Sequence, residues 1–241
     1  MADPSAELEI PNAVRDRLAL VLDCDDLVPA LRLARELRPW FGTVKVGLEL
    51  FSAVGPESIT AMTELDYEVF CDLKLHDIPS AVEGAARVLG SLGVAYLTLH
   101  AQGGADMLRA GVEGLFTGAA HAELPTPMAL GVTVLTSDDT APPHILPKRV
   151  ELAMEAGCGG IVCAAADVAE AKRYGPRLHA VVPGIRPAGS PIHDQARAAT
   201  PAQAIEAGAD LLVVGRAVTA ADDRAAAAAA VAAEVAAALE T

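Results

Sequence analysis

The sequence predicts an α/β protein whose parallel strands close into a (β/α)8 TIM barrel, one domain over residues 1–241. Three observations carry this. Eight short apolar β-type runs alternate with eight helix-like stretches, the order that builds a parallel sheet. The length of 241 residues suits one barrel of this kind. Charged residues stand at the ends of several runs, where barrel strands carry their chemistry. An open doubly wound sheet shares the alternation and stays the alternative, because alternation does not show closure.

The runs are 18–22, 43–48, 68–73, 95–100, 128–135, 160–163, 178–182 and 211–214. Each is short, aliphatic and followed by a polar or Gly/Pro-containing turn, as buried parallel strands are. The helical stretches are 26–38, 56–65, 80–92, 103–118, 146–156, 167–174, about 200–207 and 218–239. Pro79 opens the third of them, a position where its missing N–H costs nothing. The last is Ala-rich, with Glu234 inside it. Alanine is the best helix former and only weakly hydrophobic, so this reads as a soluble terminal helix rather than a membrane span. Two loops are long, 136–147 after the fifth run and 184–200 after the seventh, and long loops in compact domains usually bind ligands.

Composition narrows the function classes. Hydrophobic residues make up 52% and aromatics 3%, so the core is aliphatic. There are 18 Lys and Arg against 32 Asp and Glu, a formal net charge of −14. That balance argues against nucleic acid or an anionic membrane as partner. Cys24, Cys71, Cys158 and Cys163 form no CxxC pair and read as buried free thiols. No basic, apolar leader opens the chain, so the expected compartment is the reducing cytoplasm.

Five charged residues stand out. Asp23 ends the first run, Lys45 lies in T-V-K-V-G, and the third run reads V-F-C-D-L-K-L-H-D-I-P, with Asp72, Lys74 and Asp77. Side chains alternate along a strand, which puts Asp72 and Lys74 on one side and Cys71, Leu73 and Leu75 on the other. Charges inside a barrel are costly unless paired. Any one of these residues could belong to a salt bridge that satisfies only itself. Together, opposite charges on consecutive strand ends predict an active site in one dry pocket, acting on charge that develops in a substrate. His76 and His100 read as packed histidines, and no serine sits in a nucleophile elbow.

A second end of the site is expected at the last two strands. V-V-P-G-I-R-P supplies Gly184 and Arg186, and V-V-G-R-A-V-T supplies Gly215 and Arg216. Loops after strands seven and eight of such barrels often bind phosphate. There is no G-x-G-x-x-G and no G-x-x-x-x-G-K-[ST], so neither a dinucleotide cofactor nor ATP is expected. The residues alone thus point to a phosphorylated small molecule, held by its phosphate, with its reactive end over the Asp/Lys array.

V-F-C-D-L-K-L-H-D-I-P resembles the signature of the orotidine 5′-phosphate decarboxylase family. So do A-L-V-L-D at 19–23, V-K-V-G-L-E-L-F at 44–51, L-T-L-H-A-Q-G-G at 97–104, G-V-T-V-L-T-S at 131–137, V-P-G-I-R-P at 182–187 and V-V-G-R-A-V-T at 213–219. The resemblance spans roughly residues 17–220. The D-x-K-x-x-D core is shared with Mg²⁺-dependent sugar-phosphate decarboxylases and hexulose-phosphate synthases, while H-D-I-P and P-G-I-R favour the orotidylate branch. The resemblance implies cofactor-free decarboxylation of orotidine 5′-phosphate to UMP. Lys74 would stabilise the C6 carbanion and supply the proton. Asp72 would lie near the departing carboxylate, and Asp23 and Lys45 would orient the array and contact ribose. Asp77 would come from a second subunit of a homodimer. Thr136 would contact the pyrimidine, and Arg186, Gln195, Gly215 and Arg216 the phosphate. One departure is visible: Ala81 stands where family members commonly carry a ligand-contacting Thr.

Overall fold

The apolar runs become strands because both faces of each are covered. The computed structural model describes residues 10–138, 140–187 and 197–240. In chain order the strands are β1 (Leu18–Leu22), β2 (Thr43–Gly47), β3 (Glu68–Leu75), β4 (Tyr96–His100), β5 (Met128–Val132), β6 (Gly160–Val162), β7 (His179–Val182) and β8 (Leu211–Val214). Neighbours pair in parallel, and β1 pairs with both β2 and β8, so the barrel is closed. In β1, Leu18, Leu20 and Leu22 pack outward into the layer beneath the helices, while Ala19 and Val21 pack inward. The inward layer also holds Phe70, Leu130, Val132, Val162, Val181, Leu211 and Val213. The interior is therefore filled rather than a pore.

The helices bury one stripe each. Before β1 lies the short α1 (Asn12–Arg15). Next comes α2 (Leu27–Leu37), capped by Asp26, which accepts from the Val28 N–H at 2.7 Å. Its buried face is Ala30, Leu33, Ala34 and Leu37, the spacing of a single helical stripe. Between β2 and β3 lie α3 (Leu48–Val54) and α4 (Glu57–Thr63), separated by Gly55 at φ 72° and Pro56. α5 (Pro79–Ser91) follows β3, with Pro79 in its first turn. A 3₁₀ turn, Ala101–Gly103, leads from β4 into α6 (Gly104–His121). The remaining helices are α7 (Ile145–Glu155), α8 (Ala165–Tyr174), α9 (Pro201–Glu206), α10 (Arg216–Thr219) and α11 (Arg224–Leu239).

α5 and α6 approach closely because glycines line their contact. A Cβ added at Gly118 would stand 1.9 Å from the Arg87 carbonyl oxygen, and one at Gly114 would stand 2.3 Å from that of Glu83. No side chain larger than hydrogen fits at either position.

The expected elements form, with differences in extent. β5 stops at Val132, short of the expected 135, and β3 runs on to Leu75. The stretch expected as one helix over 218–239 is two, because Asp223 starts α11 afresh by accepting from the Ala226 N–H at 2.9 Å. α1 and α3 lie in segments not expected to be helical. Among the described residues no helix is long and apolar enough to cross a membrane.

Candidate active site

Parallel pairing brings the charged residues together. Lys45 lies opposite Val21 of β1, and Gly47 lies opposite Asp72 of β3. The result is a line of alternating sign. Lys45 Nζ lies 3.6 Å from Asp23 Oδ1 and 3.6 Å from Asp72 Oδ2. Lys74 Nζ donates to Asp72 Oδ1 at 2.8 Å. The four groups converge as expected, but not all in a dry place. The Lys45 and Asp72 side chains are 12% exposed, Lys74 is 32% exposed and Asp23 is 60% exposed. Asp23 thus forms the wet rim, because it stands one residue beyond the end of β1.

Asp72 is pulled two ways. Burial pushes its carboxyl up, but Lys45, Lys74 and hydrogen bonds from Lys74 and Thr98 outweigh burial and hold it below the ordinary carboxylate value. Asp72 therefore stays ionised at neutral pH.

Lys74 reaches that carboxylate through a break in the strand. Cys71 pairs with Leu97 of β4, and the next pair is Leu75 with Leu99. Residues 72–74 bulge opposite Thr98 alone, and Lys74 adopts φ 49°, in the left-handed region. Its N–H donates to Thr98 Oγ1 at 2.9 Å, and the Thr98 hydroxyl donates to Asp72 Oδ1 at 3.1 Å. Regular alternation foresaw the shared side of Asp72 and Lys74. The bulge and the part played by Thr98 lie outside any reading of period two.

A cavity opens beside the array. Lys45, Asp72 and Lys74 line it with Phe70, Val132, Val134, Leu135, Thr136, Val162, Pro183 and Val213. Phe70, Val132, Val162 and Val213 belong to the inward apolar layer. The charges thus face an apolar floor, where they act more strongly than in water. Gly47 makes room for the lysine: a Cβ there would stand 2.7 Å from Lys45 Nζ. Sequence reading missed that role, since the glycine is a neighbour of the array in space rather than a charged member of it.

The other expected residues stand apart from this cluster. Asp77 is exposed just beyond β3, and its Oδ1 accepts from the Ile78 N–H at 2.6 Å. Beside it Ile78 is 65% exposed, and Leu48 is 60% exposed. Ala81 is exposed in the first turn of α5. Arg216 is exposed at the start of α10, directly after Gly215. Arg186 is 7% exposed and donates from Nη1 to the Ile185 carbonyl at 2.7 Å. It lies outside the residues that line the cavity. Gln195 lies outside the described residues. His76 and His100 stack with ring centroids 5.3 Å apart. His100 Nδ1 accepts from the Gln102 N–H at 3.3 Å. Burial, then Arg149, His76 and Lys74, hold the His100 ring below its ordinary pKa.

A closed parallel barrel with a charged, apolar-floored cavity at the carboxyl ends of its strands is the layout of a barrel enzyme acting on a small molecule. Residues 16–231 match the model of the Orotidine 5'-phosphate decarboxylase / HUMPS family. The chain belongs to that family. It is 48% identical over 221 residues to the orotidine 5'-phosphate decarboxylase of Anaeromyxobacter sp. (strain K), covering 87% of this chain and 94% of that protein. It is 43% identical over 233 residues to the orotidine 5'-phosphate decarboxylase of Moorella thermoacetica, covering 92% of each. Among solved structures, orotidine 5'-phosphate decarboxylase from Lactobacillus acidophilus superposes with a TM-score of 0.74 at 32% identity, over 91% of this chain and 99% of that one.

Proposed function

We propose that this protein decarboxylates orotidine 5′-phosphate to UMP and CO₂ without a cofactor. The observation that carries this reading is the unbroken line Asp23–Lys45–Asp72–Lys74 beside an apolar cavity floor. Breaking the bond from C6 to the carboxylate releases CO₂ and leaves the electron pair on C6. No adjacent π-system accepts that pair. The Lys74 ammonium faces it and transfers a proton from Nζ to C6, and water then reprotonates the amine. Asp72, kept ionised by its lysines, stands by the substrate carboxylate and repels it until CO₂ leaves. Lys45 and Asp23 orient the pair and contact ribose, while Thr136, on the cavity wall, contacts the pyrimidine. Arg216 and Gly215, with Arg186 and Gln195, form the phosphate end. That end is remote from the bond broken, so phosphate binding energy serves to close loops and is expressed in the transition state.

Asp77 acts, on this reading, in the site of a second copy. The exposed Ile78 beside it, with the exposed Leu48, offers an apolar surface for such a homodimer. The four cysteines are free thiols, in keeping with a reducing cytoplasm.

The test is an absorbance assay of orotidylate loss, run with and without EDTA. Turnover indifferent to the chelator is expected. Activity that vanishes with EDTA would move the protein to the Mg²⁺-dependent sugar-phosphate branch. Tight UMP binding with no turnover would make it a ligand-binding barrel.

A further inference from the structure

We propose that Thr98 is a positioning residue that holds the β3 bulge in place and thereby aims the Lys74 ammonium. The inference rests on the decarboxylase reading for its kinetic consequence, and on geometry alone for the positioning. A hydroxyl carries one proton. The Lys74 N–H can only donate, so at 2.9 Å Thr98 Oγ1 accepts from it. That commits the Thr98 proton elsewhere, and Asp72 Oδ1 receives it at 3.1 Å. The same Oδ1 accepts from Lys74 Nζ at 2.8 Å. The bonds form a ring from the Lys74 backbone, through Thr98 and Asp72, back to the tip of the Lys74 side chain. Its direction is set at every step by which atoms hold protons.

The ring answers a need created by the bulge. With three residues of β3 opposite one of β4, the Lys74 N–H has left the regular ladder. The φ of 49° is sparsely populated by residues other than glycine and persists only where the surroundings hold it. Thr98 is wholly buried, so solvent is poorly placed to replace its hydroxyl. Valine has the same shape but neither hydrogen bond, and serine keeps both.

Wild type, Thr98→Val and Thr98→Ser are compared by kcat, KM and hydrogen exchange at the Lys74 amide. The valine variant should lose kcat roughly 10- to 100-fold with KM held within about threefold. Its Lys74 amide should exchange at least roughly tenfold faster than in wild type. The serine variant should restore both. Wild-type kcat and a protected amide in Thr98→Val would overturn the proposal, and so would a loss falling on kcat and KM alike that serine does not rescue. Fast exchange of this amide in wild type overturns it without any variant, should Thr98→Val fail to fold. An inactive wild type would instead remove the decarboxylase reading and leave amide exchange to decide the role of Thr98.

Discussion

Two charge networks occupy opposite ends of the same barrel. At the amino-terminal end of the strands, Asp210 accepts from Lys172 Nζ at 2.7 Å and from the Ala180 N–H at 2.8 Å, with Arg17 at 3.8 Å. Lys172 also donates to the Leu178 carbonyl at 2.8 Å. At the mouth, the partners found for Asp72 are all side chains: Lys45, Lys74 and Thr98. Burial pushes both aspartates up, and in both the opposing contacts win and leave the carboxyl below its ordinary value. A perturbed carboxylate therefore does not by itself mark a catalytic site. What differs is who holds it. The lower network is tied to the backbone and clamps β7, β8 and the entry to β1. The mouth network links side chain to side chain.

The widest gap between the two ends should come from Lys74→Ala. Turnover should fall roughly 10³-fold or more, while UMP binding by calorimetry survives and the melting midpoint barely moves. Mixing this variant with Asp77→Ala should recover some activity if sites are shared, and the absence of any recovery would remove the composite site. Arg216→Ala tests the far rim of the mouth. Its UMP affinity should weaken by about 1.5–3 kcal/mol, the cost of one charge-assisted hydrogen bond, and unchanged affinity would move the phosphate elsewhere. Gly47→Ala sharpens the contrast further. Its φ of −94° suits alanine, so stability should hold. The displaced Lys45 tip should nonetheless lower kcat roughly tenfold.

The smallest effect on turnover belongs to the lower network. Asp210→Asn should leave kcat unchanged and cost about 1–2 kcal/mol of stability after solvent screening. The sign of its pH dependence is fixed. A carboxyl titrating lower in the folded chain stabilises it above the unfolded value, about 3.9, and that contribution fades as pH falls through the folded value. The melting difference between wild type and Asp210→Asn should thus be full at neutral pH and vanish in acid. A difference that grows in acid would contradict the assignment.

The barrel was legible because its strands are buried on both faces and so read as unbroken aliphatic runs. Asp23, Lys45, Asp72 and Lys74 were legible because charge inside such runs is conspicuous. Thr98 was not: in L-T-L-H it looks like one polar residue in an alternating strand, and its use depends on a bulge in β3 that only pairing with β4 creates. The exposure of Asp23 was hidden for a related reason, since the end of β1 is set by the sheet rather than by its own residues. The lower network escaped notice because its parts lie far apart in the chain, with Arg17 donating to a carbonyl 192 residues away.

The glycine contact between α5 and α6 reaches further than packing. α5 follows β3 through His76, Asp77 and Ile78, and α6 follows β4 through one 3₁₀ turn. The two helices that touch backbone to backbone are thus direct extensions of the strands that bear Lys74 and Thr98. They brace the outside of the barrel below the mouth, where the backbones of α5 and α6 meet. A methyl group at Gly114 or Gly118 would meet the carbonyl oxygen of Glu83 or Arg87 and pry that brace open.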